Sequence, residues 1–400
     1  MMNEVVIIGL GYIGLPTAAL IASNKTKVFG VDINPIVVDT INRGEIHIVE
    51  PQLDEAVKKS VQDGYLTAQL EAKKGDVYLI VVPTPFKKNH EPDISYVESA
   101  TKSIIPLLKK GDLYIIESTS PIGTTEKMRD LIFSIRPELE EQIYLAYCPE
   151  RVLPGNVMHE LVHNDRVIGG INEESTNQAA NFYRKFVEGA LHPTDSKTAE
   201  MCKLVENSSR DIQIAFANEL SLICDKAGVD PWKLIELANK HPRVNILQPG
   251  CGVGGHCIAV DPYFIVSEYP NEAKMISLGR EINNYKPQWI VERIEKIKKQ
   301  NDQSNNCKSK IAIMGLSFKP DIDDLRESPA VYISEKLIES IGADEIMFVE
   351  PNLDSHDKFE LIEYDVAVQQ ADIIVYLVKH RLFREKIMPD GKIILNYCGV

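Results

Sequence analysis

Within the run GVGGHCIAVDPYF (252–264), Cys257 stands among glycines and four residues before Asp261. A thiolate on so bare a backbone is a nucleophile that a bulky ligand can reach, and neighbouring N–H groups can stabilise an oxyanion. A dehydrogenase that stops at an aldehyde has no use for a cysteine. One that continues to an acid does: the thiol adds to the aldehyde, the thiohemiacetal gives up a second hydride, and water hydrolyses the thioester. Asp261 has the right chemistry to help activate that water. A buried structural thiol is the plain alternative for Cys257.

Other candidates lie upstream. Gly9, Gly11 and Gly14 in IIGLGYIGLP have G-x-G-x-x-G spacing after an apolar strand and before a helical pattern, and Asp32 ends the next strand. There a carboxylate accepts the ribose hydroxyls of NAD and repels the extra phosphate of NADP. Thr84 in VVPTPF and Thr119 in IIESTSPIG end strands whose loops face a ligand crevice, or else bond their own backbone. Lys203, Asn207 and Arg210 in TAEMCKLVENSSRD share a helix face, which reads as a catalytic stripe or as a solvated surface. His241 and Arg243 in NKHPRVNILQPG belong to an exposed loop or to a phosphate clamp.

These residues need elements to hold them. EVVIIGL (4–10), KVFGVDI (27–33), VYLIVV (77–82), LYIIES (113–118) and IYLAYC (143–148) are continuous apolar runs of the buried parallel kind. Helical stretches separate them, as in a doubly wound sheet. From about 198 to 300 the pattern is helical, with QWIVERIEKIKKQ following Pro287, and NDQSNNCKS (301–309) reads as a linker. Strands return at 310–316, 345–350, 371–378 and 392–397. This second set echoes the first: IAIMGLSFKP matches VVIIGLGYIG, and IMFVEPN matches VFGVDINP. Gly11 becomes Ser317 and Gly14 becomes Pro320, so the copy lacks the glycines that admit a pyrophosphate. Its Phe318, Lys319 and Arg326 suit another anionic ligand.

The expected fold class is α/β: two Rossmann-like, doubly wound parallel-sheet domains, at 1–197 and 310–400, joined by a helical middle domain at 198–300. The hydrophobic share of 44% and charged share of 26% are those of a globular protein, and the net charge of -14 argues against nucleic acid or an anionic membrane as partner. Seven cysteines without a C-x-x-C pair form neither a disulfide framework nor a zinc ribbon, which points to the cytoplasm and to no metal. No apolar run is long enough to span a bilayer, and the chain starts too close to its first strand for a signal peptide.

GLGYIGLP, VPTP, EST, CPERVLPG, EMCKLVEN, GVGGHCIAVDPYF and GLSFKPDIDDLRESP occur in the order seen in the UDP-glucose/GDP-mannose dehydrogenase family, which the chain resembles over its whole length. INRGEIHIVEP, HPRVNILQPG and GHCIAVDP are similar to the subgroup acting on UDP-N-acetyl-D-mannosamine. The resemblance implies an NAD-dependent four-electron oxidation of a UDP-sugar at C6, for surface polysaccharide. It makes Cys257 the nucleophile and Lys203 the group that steadies the oxyanion or handles the proton, with Asn207 alongside. Thr119, Glu150 and Asp261 then place or activate water. Gly9, Gly11, Tyr12, Ile13, Gly14, Asp32, Thr84, Thr119 and Arg326 would hold NAD. Arg151, Val152, Lys203, Asn207, Arg210, His241, Arg243, Gly254, Phe318 and Lys319 would surround the UDP-sugar. It also implies a homodimer or higher homo-oligomer built through the helical middle, with Arg243 acting across the interface. Two departures stand out: Cys251 in place of a proline, and the ending NYCGV.

Overall fold

A computed structural model of the protein describes residues 4–87, 91–153, 155–255, 257–387 and 389–400. It divides into two compact units, Met1–Val205 and Glu206–Val400.

The first unit is built on eight strands: β1 (Glu4–Ile8), β2 (Lys27–Val31), β3 (Leu66–Gln69), β4 (Val77–Ile80), β5 (Leu113–Ile116), β6 (Tyr144–Tyr147), β7 (Arg166–Gly170) and β8 (Leu191–Asp195). Their order is β3-β2-β1-β4-β5-β6-β7-β8, parallel throughout except for the antiparallel pair β6–β7. The five apolar runs read from the sequence are β1, β2, β4, β5 and β6. Three strands escaped that reading because their patterns are weak. β3 is LTAQ, β7 ends in two glycines, and β8 carries His192 and Pro193 on an open edge, where a missing N–H does no harm. Strand order reverses between β1 and β4, so the crevice for a ligand opens where the chain leaves those two strands, at Gly9 and at Val81.

The long helix Ser196–Ala227 belongs to the first unit as far as Val205 and to the second from Glu206. The second unit adds the helix Lys274–Asn305, which departs from the sequence reading at both ends. Pro287 lies inside it rather than before it, buried beside Gly252. The supposed linker is partly its last turn, closed by Asn306 in the left-handed region at φ 50°. Asp302 ties that turn down, taking Lys298 Nζ at 2.6 Å and the Ser309 N–H at 2.7 Å.

The second sheet comprises β9 (Ile311–Met314), β10 (Ile346–Val349), β11 (Ile373–Tyr376) and β12 (Ile393–Asn396), all parallel in the order β10-β9-β11-β12. Its first turn reproduces that of the first sheet bond for bond. The Gly9 N–H donates to the Val31 carbonyl at 2.8 Å, and the Gly315 N–H donates to Val349 at 2.8 Å. Leu10 N–H meets Asp32 Oδ2 at 3.0 Å, and Leu316 N–H meets Glu350 Oε2 at 2.8 Å. The echo in the sequence is thus a repeat of backbone geometry.

Candidate active site

In the first unit the glycine fingerprint forms the turn between β1 and the helix Gly14–Ser23. Gly9 has φ +96°, and a side chain on it would run into the Val81 carbonyl. A Cβ on Gly14 would strike the Gly9 carbonyl, whereas one on Gly11 would meet nothing within 4 Å. The turn is therefore packed tightly on its protein side and open at Gly11, the cradle that a pyrophosphate needs at a helix N-terminus. Asp32 is half-buried; its Oδ2 holds Leu10 and its Oδ1 accepts from the Asn34 N–H at 2.9 Å. These residues fit NAD. Tyr12 and Ile13 flank the cradle, Tyr12 being 53% exposed.

Thr84 and Thr119 are brought together: the Thr84 hydroxyl donates to the Thr119 carbonyl at 2.5 Å, joining the loops after β4 and β5. The Thr84 hydroxyl thus bonds the backbone of the neighbouring loop rather than its own. A residue the sequence reading missed, Glu200, fixes the start of the long helix. Its buried carboxylate accepts from the N–H groups of Gly123 (2.5 Å) and Thr125 (2.8 Å) and from the Thr125 hydroxyl (2.7 Å). That caps the helix Thr124–Ile135 and anchors the segment bearing Lys203, one turn further on and half-buried. Glu150 is buried in an ion pair with Arg166, Arg151 reaches the Asp165 carbonyl, and Val152 packs against the core.

In the second unit Cys257 is exposed, in the turn that starts the helix Asp261–Glu268. The turn closes through N–H donation from Val260 (3.1 Å) and Asp261 (2.9 Å) to the Cys257 carbonyl. Asp261 is buried and receives the Asn207 carboxamide at 2.5 Å. The thiol thus projects from a fixed turn whose far end carries a buried carboxylate held by an amide from another helix.

The glycines before the cysteine do something other than the sequence suggests. A Cβ on Gly254 would meet the Glu327 carbonyl at 2.5 Å and Phe318 at 2.7 Å, and one on Gly255, at φ +80°, would meet the Phe318 ring at 2.9 Å. The Gly255 N–H already donates to the Arg326 carbonyl at 3.2 Å. The bare backbone admits the 318–329 loop, and this N–H is engaged there rather than facing an oxyanion. Cys251 is buried in the core beside Ile290 and Ile313, with its thiol toward the Leu377 carbonyl at 3.5 Å, and burial pushes it up to about 12.

The loop bearing Phe318 and Lys319 rests on a pair that the sequence reading also missed. Glu350, the counterpart of Asp32, is covered by His380, whose Nε2 donates to Oε2 at 3.1 Å; both side chains are fully buried. His380 Nδ1 accepts from the Asp321 N–H and from Asn352 Nδ2, both at 3.0 Å. Burial would lift the Glu350 carboxyl, but the His380 hydrogen bond, with the Leu316 and Ser317 amides, holds it below the usual range. The echo of VFGVDINP in IMFVEPN marks Glu350; nothing local marks His380. Lys319 is exposed, and the Arg326 guanidinium folds back onto Asp324 at 2.6 Å. Arg210, His241 and Arg243 are exposed, the Arg243 N–H donating to His241 Nδ1 at 3.3 Å. No group of three potential metal ligands occurs among the described residues, and no described helix is long and apolar enough to cross a membrane.

Two glycine turns on parallel sheets, one open to a dinucleotide and one modified, with an exposed thiol between them in sequence, define a class. Models of the UDP-glucose/GDP-mannose dehydrogenase family match in succession: its NAD binding domain over residues 3–187, its central domain over 197–285 and its UDP binding domain over 312–399. The chain belongs to this family and is an NAD-dependent nucleotide-sugar dehydrogenase. A UDP-N-acetyl-D-mannosamine dehydrogenase of Yersinia pestis is 54% identical over 400 residues, 96% of this chain and 95% of that one. An NDP-N-acetyl-D-galactosaminuronic acid dehydrogenase of Ralstonia nicotianae is 50% identical, over 95% of this chain and 91% of that one. The solved UDP-D-ManNAc dehydrogenase of Pyrococcus horikoshii has a TM-score of 0.89 at 37% identity, covering 98% of this chain and 99% of that one.

Proposed function

We propose that the protein oxidises UDP-N-acetyl-D-mannosamine at C6 to the uronate, as a cytoplasmic homo-oligomer serving polysaccharide synthesis. In this reading the NAD-binding domain spans 1–197, the middle domain 198–300 and the UDP-sugar domain 310–400. The observation that carries the chemistry is the exposed Cys257 thiol in a turn fixed by the buried Asp261 and Asn207.

NAD, which Gly9, Gly11, Gly14 and Asp32 would hold, would supply the hydride acceptor for each of two oxidations at C6. Lys203 takes or steadies the proton leaving the C6 hydroxyl. The Cys257 sulfur adds to the aldehyde carbon, forming a C–S bond, and the oxygen so charged is stabilised by Lys203 and Asn207. After the second oxidation the thioester is opened by water held by Thr119, Glu150 and Asp261; its C–S bond breaks and the thiol is restored. Overall, one alcohol, two NAD and one water give one carboxylate, two NADH and three protons. Asp32 selects NAD. Arg151, Val152, Arg210, His241, Arg243, Gly254, Phe318 and Lys319 bind the UDP-sugar, and Arg326 the cofactor.

The 54% and 50% identical relatives are named for different acetamido sugars, so the sugar is the point to test. Turnover and NADH yield are measured on UDP-N-acetylmannosamine, UDP-N-acetylglucosamine, UDP-N-acetylgalactosamine, UDP-glucose and GDP-mannose. The expected result is two NADH per UDP-N-acetylmannosamine and poor turnover of the rest. Higher kcat/KM on another sugar overturns the substrate; one NADH per sugar overturns the thioester; none overturns catalysis.

A further inference from the structure

Glu150 sits in a buried charged cluster of the first unit that the chemistry above leaves unexplained. Glu117, just beyond β5, and Glu150, beyond β6, are 3% and 8% exposed. Arg166 of β7, equally buried, ion-pairs with Glu150 through Nη1 and sends Nη2 to the Leu161 carbonyl at 3.1 Å. Tyr183, from the helix Glu173–Tyr183, places its hydroxyl 2.5 Å from Glu117 Oε1, and the guanidinium lies 4.9 Å from its ring centroid. The Cys148 thiol lies 3.9 Å from Arg166 Nη1. Glu117 Oε2 is buried without a hydrogen-bond partner among the described residues.

The cluster holds two carboxylates and one cation. With both carboxylates ionised it would bury an uncompensated negative charge, which is expensive at this depth. The ion pair gives the arginine to Glu150, so the proton falls to Glu117. Burial and the charge of Glu150 raise Glu117 to about 7, outweighing the pull of Arg166 and Tyr183. Burial lifts both Cys148 and Tyr183, Cys148 to about 12, so neither titrates near neutrality.

We infer that Glu117 is a positioning residue that governs how firmly their shared Arg166 holds Glu150, an inference resting on the reading that Glu150 activates water. While Glu117 is neutral, Arg166 belongs wholly to Glu150 and keeps its carboxylate engaged. When Glu117 ionises, two carboxylates compete for one guanidinium, and its hold on Glu150 loosens. Water opening the thioester can then give its proton to Glu150. The cluster makes this step faster as pH rises through neutrality.

The test compares wild type with Glu117→Gln in kcat and thermal stability between about pH 6 and pH 8.5, with Glu150→Gln alongside. The kcat ratio of wild type to Glu117→Gln should grow about tenfold across that range, less than the roughly hundredfold or more that a whole positioned proton-transfer group supplies. In stability the sign is opposite. A folded pKa raised to about 7 penalises the native state nothing below the ordinary glutamate range and fully above 7. The Tm of Glu117→Gln should therefore gain on wild type as pH rises. A Tm difference independent of pH overturns the buried proton. A moving Tm difference with parallel kcat profiles, while Glu150→Gln is slow, overturns the coupling alone. Wild-type kcat in Glu150→Gln overturns the reading beneath it. Should Glu117→Gln fail to fold, the infrared band of a buried carboxylic acid in wild type decides: loss of the band near pH 7 supports the inference, and its absence at pH 6 overturns it.

Discussion

The carboxamide of Asn207 donates to Oδ2 of Asp261 at 2.5 Å, linking the long helix Ser196–Ala227 to the first residue of the helix Asp261–Glu268. This bond orients a buried carboxylate at the end of the turn that presents Cys257. Asn207→Ala removes a donor to that carboxylate and should cost about 1–3 kcal/mol of stability. It should also lower kcat by more than it raises KM for the UDP-sugar. Denaturation midpoints and steady-state kinetics check both; a wild-type kcat would leave the bond a purely structural one.

Cys257→Ala should abolish uronate formation while UDP-sugar binding survives, because in the proposed mechanism the thiol acts in the covalent stage and not in holding the nucleotide. Calorimetry and product analysis separate the two. Cys251→Ala should leave acid formation intact, since that thiol is buried against Leu377 and held at about 12. Uronate release near the wild-type rate from Cys257→Ala would rule out the thioester.

Lys203→Ala should lower kcat by about a hundredfold or more, as expected for losing a positioned proton-transfer or oxyanion group. Its KM should move less, because a group acting mainly in the transition state adds little ground-state binding. Lys319→Ala should do the reverse and raise KM. If Lys203→Ala changes KM alone, the solvated-face reading of that helix stands.

NAD should be preferred over NADP, since Asp32 occupies the end of β2 where the added phosphate would fall. Asp32→Ala should weaken this preference and also loosen the cradle, because the same carboxylate holds the Leu10 and Asn34 amides. The ratio of kcat/KM for the two cofactors measures this; comparable values in the wild type would contradict the assignment.

His380→Ala strips Glu350 of a buried donor and frees the Asp321 N–H, so the 316–321 loop should lose its anchor. The expected loss is about 1–3 kcal/mol of stability, with a raised KM for the UDP-sugar through Phe318 and Lys319. The depressed Glu350 contributes stability above the ordinary glutamate pKa that is lost as pH falls through its lower folded value. Acid unfolding of His380→Ala should therefore show a smaller stability loss on acidification than wild type. Identical acid curves would refute that role.

The sequence by itself determined what local spacing encodes. Gly9, Gly11, Gly14 and Asp32 are legible because the turn, helix start and strand end lie close along the chain, and the buried strands because their apolar runs are continuous. The echo at Gly315 and Glu350 is legible for the same reason, as is the placing of Cys257 and Asp261 on one turn. Tertiary structure decided the rest. That Gly254 and Gly255 make room for Phe318, and that Pro287 lies within a helix beside Gly252, are matters of close packing between distant segments. The pairing of Glu150 with Arg166 and of Glu350 with His380 joins common polar residues that no spacing distinguishes. A buried charge must find a partner, but which one it finds is set by strand order and by the depth at which each side chain is enclosed.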